Sequence, residues 1–402
     1  MADKICWAVP GILGTELWTG PGLPDRPGSR ARKVWCHYGN LVACLLSRLD
    51  ISAPLVQVGS LHPHYGGFVS AVRRQLDDDW QVRPMGYDWR RDIREEAAEL
   101  VEVILATEGE GIVQHSFVCH SMGGLIARAC IRLLAERGRS DLVGRLVTVG
   151  TPHRGSYVVA RIWAEQVGEF NDLVWLKSGG PLNLYFRLTG VLDQVARGVH
   201  RIAGSWPSTY QLLPALPTLP GEVDPLRPIT YDPATWARSL LAPSAEQLAG
   251  TADWYAWLAD PRTVPPPGRF VSVAGDLEPT PSRIRRARFP DGIPLQQVAN
   301  ALLPLNRRQL RQLELPSWDV SVDGDGAVTT ASALHPQSQR VTIRGQHGEL
   351  WNHPAVRERL RGWLTGPLPA EPGPVLDVPA PVFPPRGAFG EQPRPLPSTH
   401  DC

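Results

Sequence analysis

Net charge, cysteine and long apolar runs are all scarce in this sequence. Its 41 Lys and Arg residues nearly balance 40 Asp and Glu, for a net charge of +1. That balance excludes a nucleic-acid protein held by bulk charge and a polybasic membrane binder. Six cysteines in 402 residues are too few for a disulfide framework, and no Cys-x-x-Cys pair supplies half of a zinc site. No metal and no cofactor are assigned. Cys36 and Cys44 read as small core residues that would pair only in an exported chain. No stretch of about 18 apolar residues is present, which argues against a membrane-spanning helix. Nor is there a secretory leader pattern, because Met1-Ala2-Asp3-Lys4 runs straight into the strand-like Ile5-Cys6-Trp7-Ala8-Val9. The expectation is a cytoplasmic protein with reduced thiols.

Hydrophobic residues make up 43 % of the chain, enough for a large core, and Pro (40) and Gly (38) are abundant. The first 150 residues alternate short apolar runs with helical patterns. Strands are expected at Ile5–Val9, Leu55–Val58, Gln81–Met85, Ser116–Cys119 and Leu146–Val149, and helices at Gly67–Leu76, Ile93–Ala106 and Gly123–Ala135. Such alternation predicts an α/β fold, a mostly parallel central sheet with helices on both faces. From Gly155 the rhythm breaks into a Trp-, Pro- and Leu-rich stretch that ends in Val264-Pro265-Pro266-Pro267-Gly268. The expected organisation is a first core part over residues 1–154, an inserted, mainly helical cap over 155–268 and a second core part over 269–365. That second part holds strands Phe270–Ala274 and Arg340–Ile343 and a closing helix Pro354–Leu364. Residues 366–402 are expected to be a Pro-rich disordered tail.

The strongest local signal is Phe117-Val118-Cys119-His120-Ser121-Met122-Gly123-Gly124. A strand enters a tight turn at Ser121 and leaves as a helix, the pattern of a nucleophile elbow. Small residues are needed two before and two after the serine, where strand and helix backbones nearly touch; Cys119 and Gly123 qualify. A serine nucleophile requires a base, an orienting acid and an oxyanion hole. His347, in the loop after the last expected strand, is the preferred base. His353 reads as the cap of the following helix, and His120 as a support of the elbow. Two acids compete: Asp325 in Asp323-Gly324-Asp325-Gly326, which is favoured, and Asp276 after Phe270–Ala274. The oxyanion donors would be the N–H groups of Met122 and of Ile12, in the loop Val9-Pro10-Gly11-Ile12-Leu13-Gly14.

Six segments together resemble the lecithin:cholesterol acyltransferase-like α/β-hydrolases, which include lysosomal phospholipase A2 and phospholipid:diacylglycerol acyltransferase. They are Val9–Leu17, Gly86-Tyr87-Asp88-Trp89-Arg90-Arg91, Cys119–Gly124, Gly150–Ser156, Ser208–Pro214 and Asp323–Val328. The resemblance spans roughly residues 5–365. It implies an α/β-hydrolase fold and a serine O-acyltransferase or ester hydrolase with Ser121, Asp325 and His347 as triad. It also selects Asp325 over Asp276. Ala327 and Thr329 depart from the family's usual Thr and Pro.

The implied partners are a lipid or other acyl ester and an alcohol or water acceptor, with peripheral membrane contact through the cap and no nucleic acid. Gly11, Asp88, Trp89 and Leu176 are the candidate substrate contacts. For Asp88-Trp89-Arg90 a buried ion pair with Trp packing is the structural alternative, and is favoured. Segment Leu173–Leu192 is the candidate interfacial lid, and Arg283, Arg285, Arg286 and Arg288 form a basic run. A soluble esterase or acyltransferase of specialised metabolism is the alternative function, and a non-catalytic scaffold the more remote one.

Overall fold

The computed structural model describes residues 3–22, 29–35, 48–53, 56–164, 202–214, 243–288, 314–321 and 323–378. In chain order its first half holds β1 (Lys4–Val9), β2 (Thr15–Thr19), β3 (Arg32–Trp35), β4 (Val56–Leu61), α1 (Phe68–Arg73), β5 (Trp80–Pro84), α2 (Ile93–Ala106), β6 (Gln114–His120), α3 (Gly123–Glu136) and β7 (Val143–Val149). There follow α4 (Tyr157–Ala164), α5 (Pro207–Gln211), α6 (Ala245–Leu258), β8 (Phe270–Gly275), β9 (Thr280–Arg288), β10 (Glu314–Ser321), α7 (Thr330–Ala333), β11 (Gln339–Ile343), α8 (Pro354–Thr365) and β12 (Leu376–Val378).

A seven-stranded sheet in the order β12-β11-β8-β7-β6-β1-β5, parallel at every pairing, forms the centre. Parallel strands are buried on both faces, which explains the apolar stretches Ile5–Val9 of β1, Phe117–Cys119 of β6 and, interrupted by Ser272, Phe270–Ala274 of β8. One face packs on α2 and α3 through Ile93, Leu100, Ile104, Leu125 and Ile126. The other packs on α1 and α8 through Phe68, Val72, Val356, Leu360 and Trp363. Asp92 caps α2 by accepting from Arg94 N at 2.8 Å, and Ser244 and Gln247 form a reciprocal capping box on α6. This is an α/β-hydrolase fold, with the strand–turn–helix elbow at the β6–α3 junction.

Two expectations need correction, and one element has no counterpart in the sequence reading. Val56–Leu61 is not in the main sheet. Its half-exposed residues join β2 and β3 in a separate three-stranded antiparallel sheet, because a one-sided strand suits an antiparallel layer. The tail is not wholly unstructured. Val375-Leu376-Asp377-Val378 is free of proline, and β12 pairs in parallel with β11 while Val378 joins the core; residues 379–402 lie outside the described residues. The antiparallel ribbon of β9 and β10 escaped the reading, since Ser282–Arg288 is too charged to look like a strand. The basic run lies along β9, where Arg283 is in register with Asp319 and Arg288 with Glu314.

Strands β7 and β8 are neighbours, so residues 150–269 form an excursion from the sheet. Its described elements are α4, α5 and α6. Arg128 of α3 ties its end to the core: Nη2 donates to Leu258 O at 2.8 Å and Thr263 Oγ1 at 3.0 Å. Burial without a carboxylate partner among the described residues pushes its pKa down to about 9. No helix among the described residues is long and apolar enough to cross a membrane.

Two contacts yield predictions. A Cβ on Gly123 would lie 2.4 Å from Pro10 O and 2.6 Å from Val9 O, where the end of β1 meets the start of α3. Gly123→Ala should lower stability by about 1–3 kcal/mol. A urea midpoint equal to wild type would show that this contact yields freely. Glu96 is buried, and desolvation raises its pKa to about 8 although Arg91 lies at 2.9 Å. Between the ordinary value of 4.5 and about 8 the folded chain holds a proton that the unfolded chain has released. Stability from this residue therefore falls as pH rises through that window. Glu96→Gln should flatten the fall in Tm between pH 5 and pH 8, a comparison that thermal melts at the two pH values decide.

Candidate active site

The seven residues of β6 end at His120, and Ser121 follows at φ +52°. That left-handed conformation is costly for a residue with a Cβ. It is held by Ser121 N donating to Val149 O at 2.9 Å and by Gly124 N donating to Ser121 O at 3.1 Å. The chain can turn so tightly because its neighbours lack side chains. A Cβ on Gly11 would lie 2.8 Å from Ser121 Cβ, and one on Gly124 would lie 2.2 Å from Thr151 Oγ1. Met122 is the N-cap of helix α3 and gives it no side-chain cap. The Met122 N–H meets no backbone acceptor among the described residues, at the end of the helix where the dipole is positive.

The loop after β1 closes by Gly14 N donating to Gly11 O at 3.0 Å, with Leu13 at φ +64°. A turn with positive φ at its third residue normally has Gly there. Trp35 Nε1 donates to Leu13 O at 2.8 Å and holds the strained turn. Ile12 is a central residue of this turn and follows Gly11, where a Cβ would lie 2.8 Å from Ser121 Cβ, and its N–H is likewise without a backbone acceptor among the described residues.

His347 follows β11. Its Nε2 lies 2.9 Å from Ser121 Oγ and its Nδ1 lies 2.8 Å from Asp325 Oδ2. Asp325 is buried, and its other oxygen accepts from Ala327 N at 3.0 Å and Val328 N at 2.7 Å. Those two donors orient the carboxylate and leave Oδ2 for the imidazole. A carboxylate only accepts, so Nδ1 carries the ring proton and Nε2 presents a lone pair to the serine hydroxyl. His347 N also donates to Asp325 O at 2.9 Å. Gly150, at φ +59°, lies under the pair: a Cβ there would be 3.1 Å from His347 Nδ1 and 3.2 Å from Asp325 Oδ2. The array can deprotonate a hydroxyl and present it as a nucleophile.

The structure thus brings together Ser121, His347, Asp325, Gly11, Ile12 and Met122. Asp276 is exposed, with its N–H donating to Ile343 O at 3.2 Å. His353 caps α8 by accepting from Ala355 N at 3.3 Å. Leu176 and the stretch Leu173–Leu192 lie outside the described residues.

Asp88 and Trp89 are not placed to meet a substrate. Asp88 makes a bidentate ion pair with Arg90, at 2.8 and 2.6 Å. Trp89 is 0 % exposed and donates from Nε1 to Thr15 O at 3.0 Å. It packs edge-on against Trp35 and Trp206. The segment docks α5: Ser208 Oγ donates to Trp89 O at 2.6 Å, and Ile93 N to Gln211 Oε1 at 2.8 Å. Tyr65 went unrecognised in the sequence, and Leu13 and Gly150 stood out only as members of the segments Val9–Leu17 and Gly150–Ser156, with no role of their own.

No protein-family profile matches this chain, and no curated protein matches it. Among solved structures, the lipase BlEst2 of Bacillus licheniformis in its mature form is similar at 12 % identity, covering 89 % of this chain and 92 % of its own, with a TM-score of 0.40. The type II thioesterase YbtT of the yersiniabactin biosynthetic pathway is similar at 14 % identity, covering 90 % and 91 %, with a TM-score of 0.32. The RedJ thioesterase of the prodiginine pathway in Streptomyces coelicolor is similar at 14 % identity, covering 51 % and 59 %, with a TM-score of 0.26. At such identities and scores these likenesses bear on no individual residue's role.

Proposed function

We propose that this chain is a serine-dependent ester hydrolase or O-acyltransferase of the lecithin:cholesterol acyltransferase type, acting on a phospholipid-like ester through an acyl-Ser121 intermediate. The observation that carries the chemistry is the continuous array from Ser121 Oγ through His347 to buried Asp325, at 2.9 and 2.8 Å. The lipid substrate rests on the six sequence segments that resemble that family.

In the proposed first half-reaction His347 Nε2 takes the Ser121 proton as Oγ attacks the ester carbonyl. The N–H groups of Ile12 and Met122 receive the developing oxyanion. Asp325 stabilises the imidazolium and keeps the proton on Nδ1. The carbon–oxygen bond to the leaving group breaks, and His347 returns the proton to the departing alkoxide. In the second half-reaction water or an alcohol, deprotonated by His347, attacks the acyl-serine. Ser121 Oγ leaves and regains its proton. Hydrolysis and transfer use the same residues and differ in which hydroxyl reaches the acyl-enzyme. The cap is proposed to choose the acyl chain and to contact the lipid surface.

The purified chain, with phosphatidylcholine vesicles carrying a labelled acyl chain and a long-chain alcohol, should release labelled fatty acid, alkyl ester or both. Ser121→Ala should give neither. Labelling of Ser121 by a fluorophosphonate without turnover of vesicles would remove the lipid substrate and favour a soluble ester or thioester. Asp325→Asn should keep the fold but lower kcat by about four orders of magnitude, as loss of the orienting acid does elsewhere. Retention of full activity would assign the acid to another residue.

A further inference from the structure

We infer that Tyr65 and His120 are positioning residues, forming a buried strut that ties the proposed oxyanion loop to the backbone of the proposed base. The inference rests on the reading of Ser121, His347 and Asp325 given above. Gly11 N donates to Tyr65 Oη at 3.0 Å; Tyr65 Oη lies 2.6 Å from His120 Nδ1; and His120 Nε2 lies 2.8 Å from His347 O. With His120 neutral, only one proton arrangement makes all three bonds. The phenol oxygen accepts from Gly11, so its own proton points to His120 Nδ1. The ring proton is then on Nε2, donating to the His347 carbonyl. The reverse tautomer would face a lone pair with a carbonyl oxygen.

The connected segments are far apart in sequence. Gly11 precedes Ile12, whose N–H is the proposed oxyanion donor. His120 precedes the nucleophile. His347 is otherwise held at its backbone by its own N–H to Asp325 O. The strut therefore sets the spacing between oxyanion donor, nucleophile and base, which must be right to within about half an ångström for efficient chemistry. Its members are 5 % and 2 % exposed, so water does not compete for the bonds. Burial, with His347 and His64 nearby, holds His120 neutral well below the usual histidine range. Its ring centroid is 4.9 Å from that of His347, and a neutral ring there leaves the imidazolium formed on His347 during attack unopposed by a second cation. The ring of Tyr65 is separately packed, stacked on Trp351 and tilted against Phe68. Tyr65→Phe therefore removes the hydroxyl and keeps the packing.

The test uses the full chain with a fluorophosphonate probe and a soluble p-nitrophenyl ester. Wild type, Ser121→Ala, Tyr65→Phe, His120→Leu and His120→Gln are compared for labelling rate, kcat, KM and Tm. Ser121→Ala should not label. Tyr65→Phe and His120→Leu should label and turn over roughly tenfold or more slowly, less than the loss of a direct oxyanion donor, with KM changed less than about twofold. His120→Gln, which keeps a donor for the His347 carbonyl, should recover part of the rate. Wild-type labelling rates in Tyr65→Phe overturn the strut, as does a rate loss explained wholly by a lower folded fraction. Failure of wild type itself to label overturns the Ser121 reading instead. Should His120→Leu not fold, Tyr65→Phe decides alone, because its packing is intact.

Discussion

A serine at φ +52° is the constraint on which the rest of the site depends. Such a conformation costs on the order of 1–3 kcal/mol and persists only where the surroundings leave no alternative. Here they leave none. Val149 O takes the Ser121 N–H, and Gly11, Gly123 and Gly124 let β1 and β7 close around the turn without side chains between them. The neighbouring loop repeats the device, with Leu13 at φ +64° tied down by Trp35. Two strained residues, in the loops that follow β1 and β6, fix the nucleophile turn and the proposed oxyanion loop beside it.

Charge is handled with equal economy. Asp325 is buried, yet each of its oxygens has a donor: two backbone N–H groups on one and the His347 ring on the other. Among the described residues the hydrogen-bond partners of buried Arg128 are all uncharged acceptors, Leu258 O, Thr263 Oγ1 and the His153 ring, and its guanidinium is correspondingly easier to deprotonate. Asp88 and Arg90 neutralise each other. Arg128 ties the end of the excursion to α3, the Arg90 guanidinium is fixed on Asp88 and on Asp50 O, and neither enters the proposed chemistry.

Two of the segments that look most distinctive in the sequence turn out to be partners. Gly86–Arg91 and Ser208–Pro214 meet through Ser208 and Trp89, while Tyr87 Oη donates to Pro10 O at 2.8 Å, in the proposed oxyanion loop. A motif can therefore stand out because it shapes a loop from below, without meeting a ligand. That is why Asp88 and Trp89 were reasonable candidate contacts in the sequence and are packing residues in the structure.

Much of the fold was legible because parallel strands, covered on both faces, leave apolar runs, and their crossover helices leave a 3.6-residue rhythm: Ile93–Ala106 begins and ends where its pattern does. The elbow was legible because the close backbone approach admits only small residues around Ser121. His347 and Asp325 were legible as types in suitable loops, Asp325 being favoured over Asp276 by its turn before a buried residue and then selected by family resemblance. What tertiary structure alone decided lies in contacts with no local signature. The β9–β10 ribbon is paired through its backbone, β4 was assigned to another sheet by partners outside its own segment, and Tyr65 enters the site from 55 residues before His120. A hydrogen bond between buried side chains leaves no periodicity or spacing along the chain, so folding alone shows that Tyr65, His120 and His347 form one connected line.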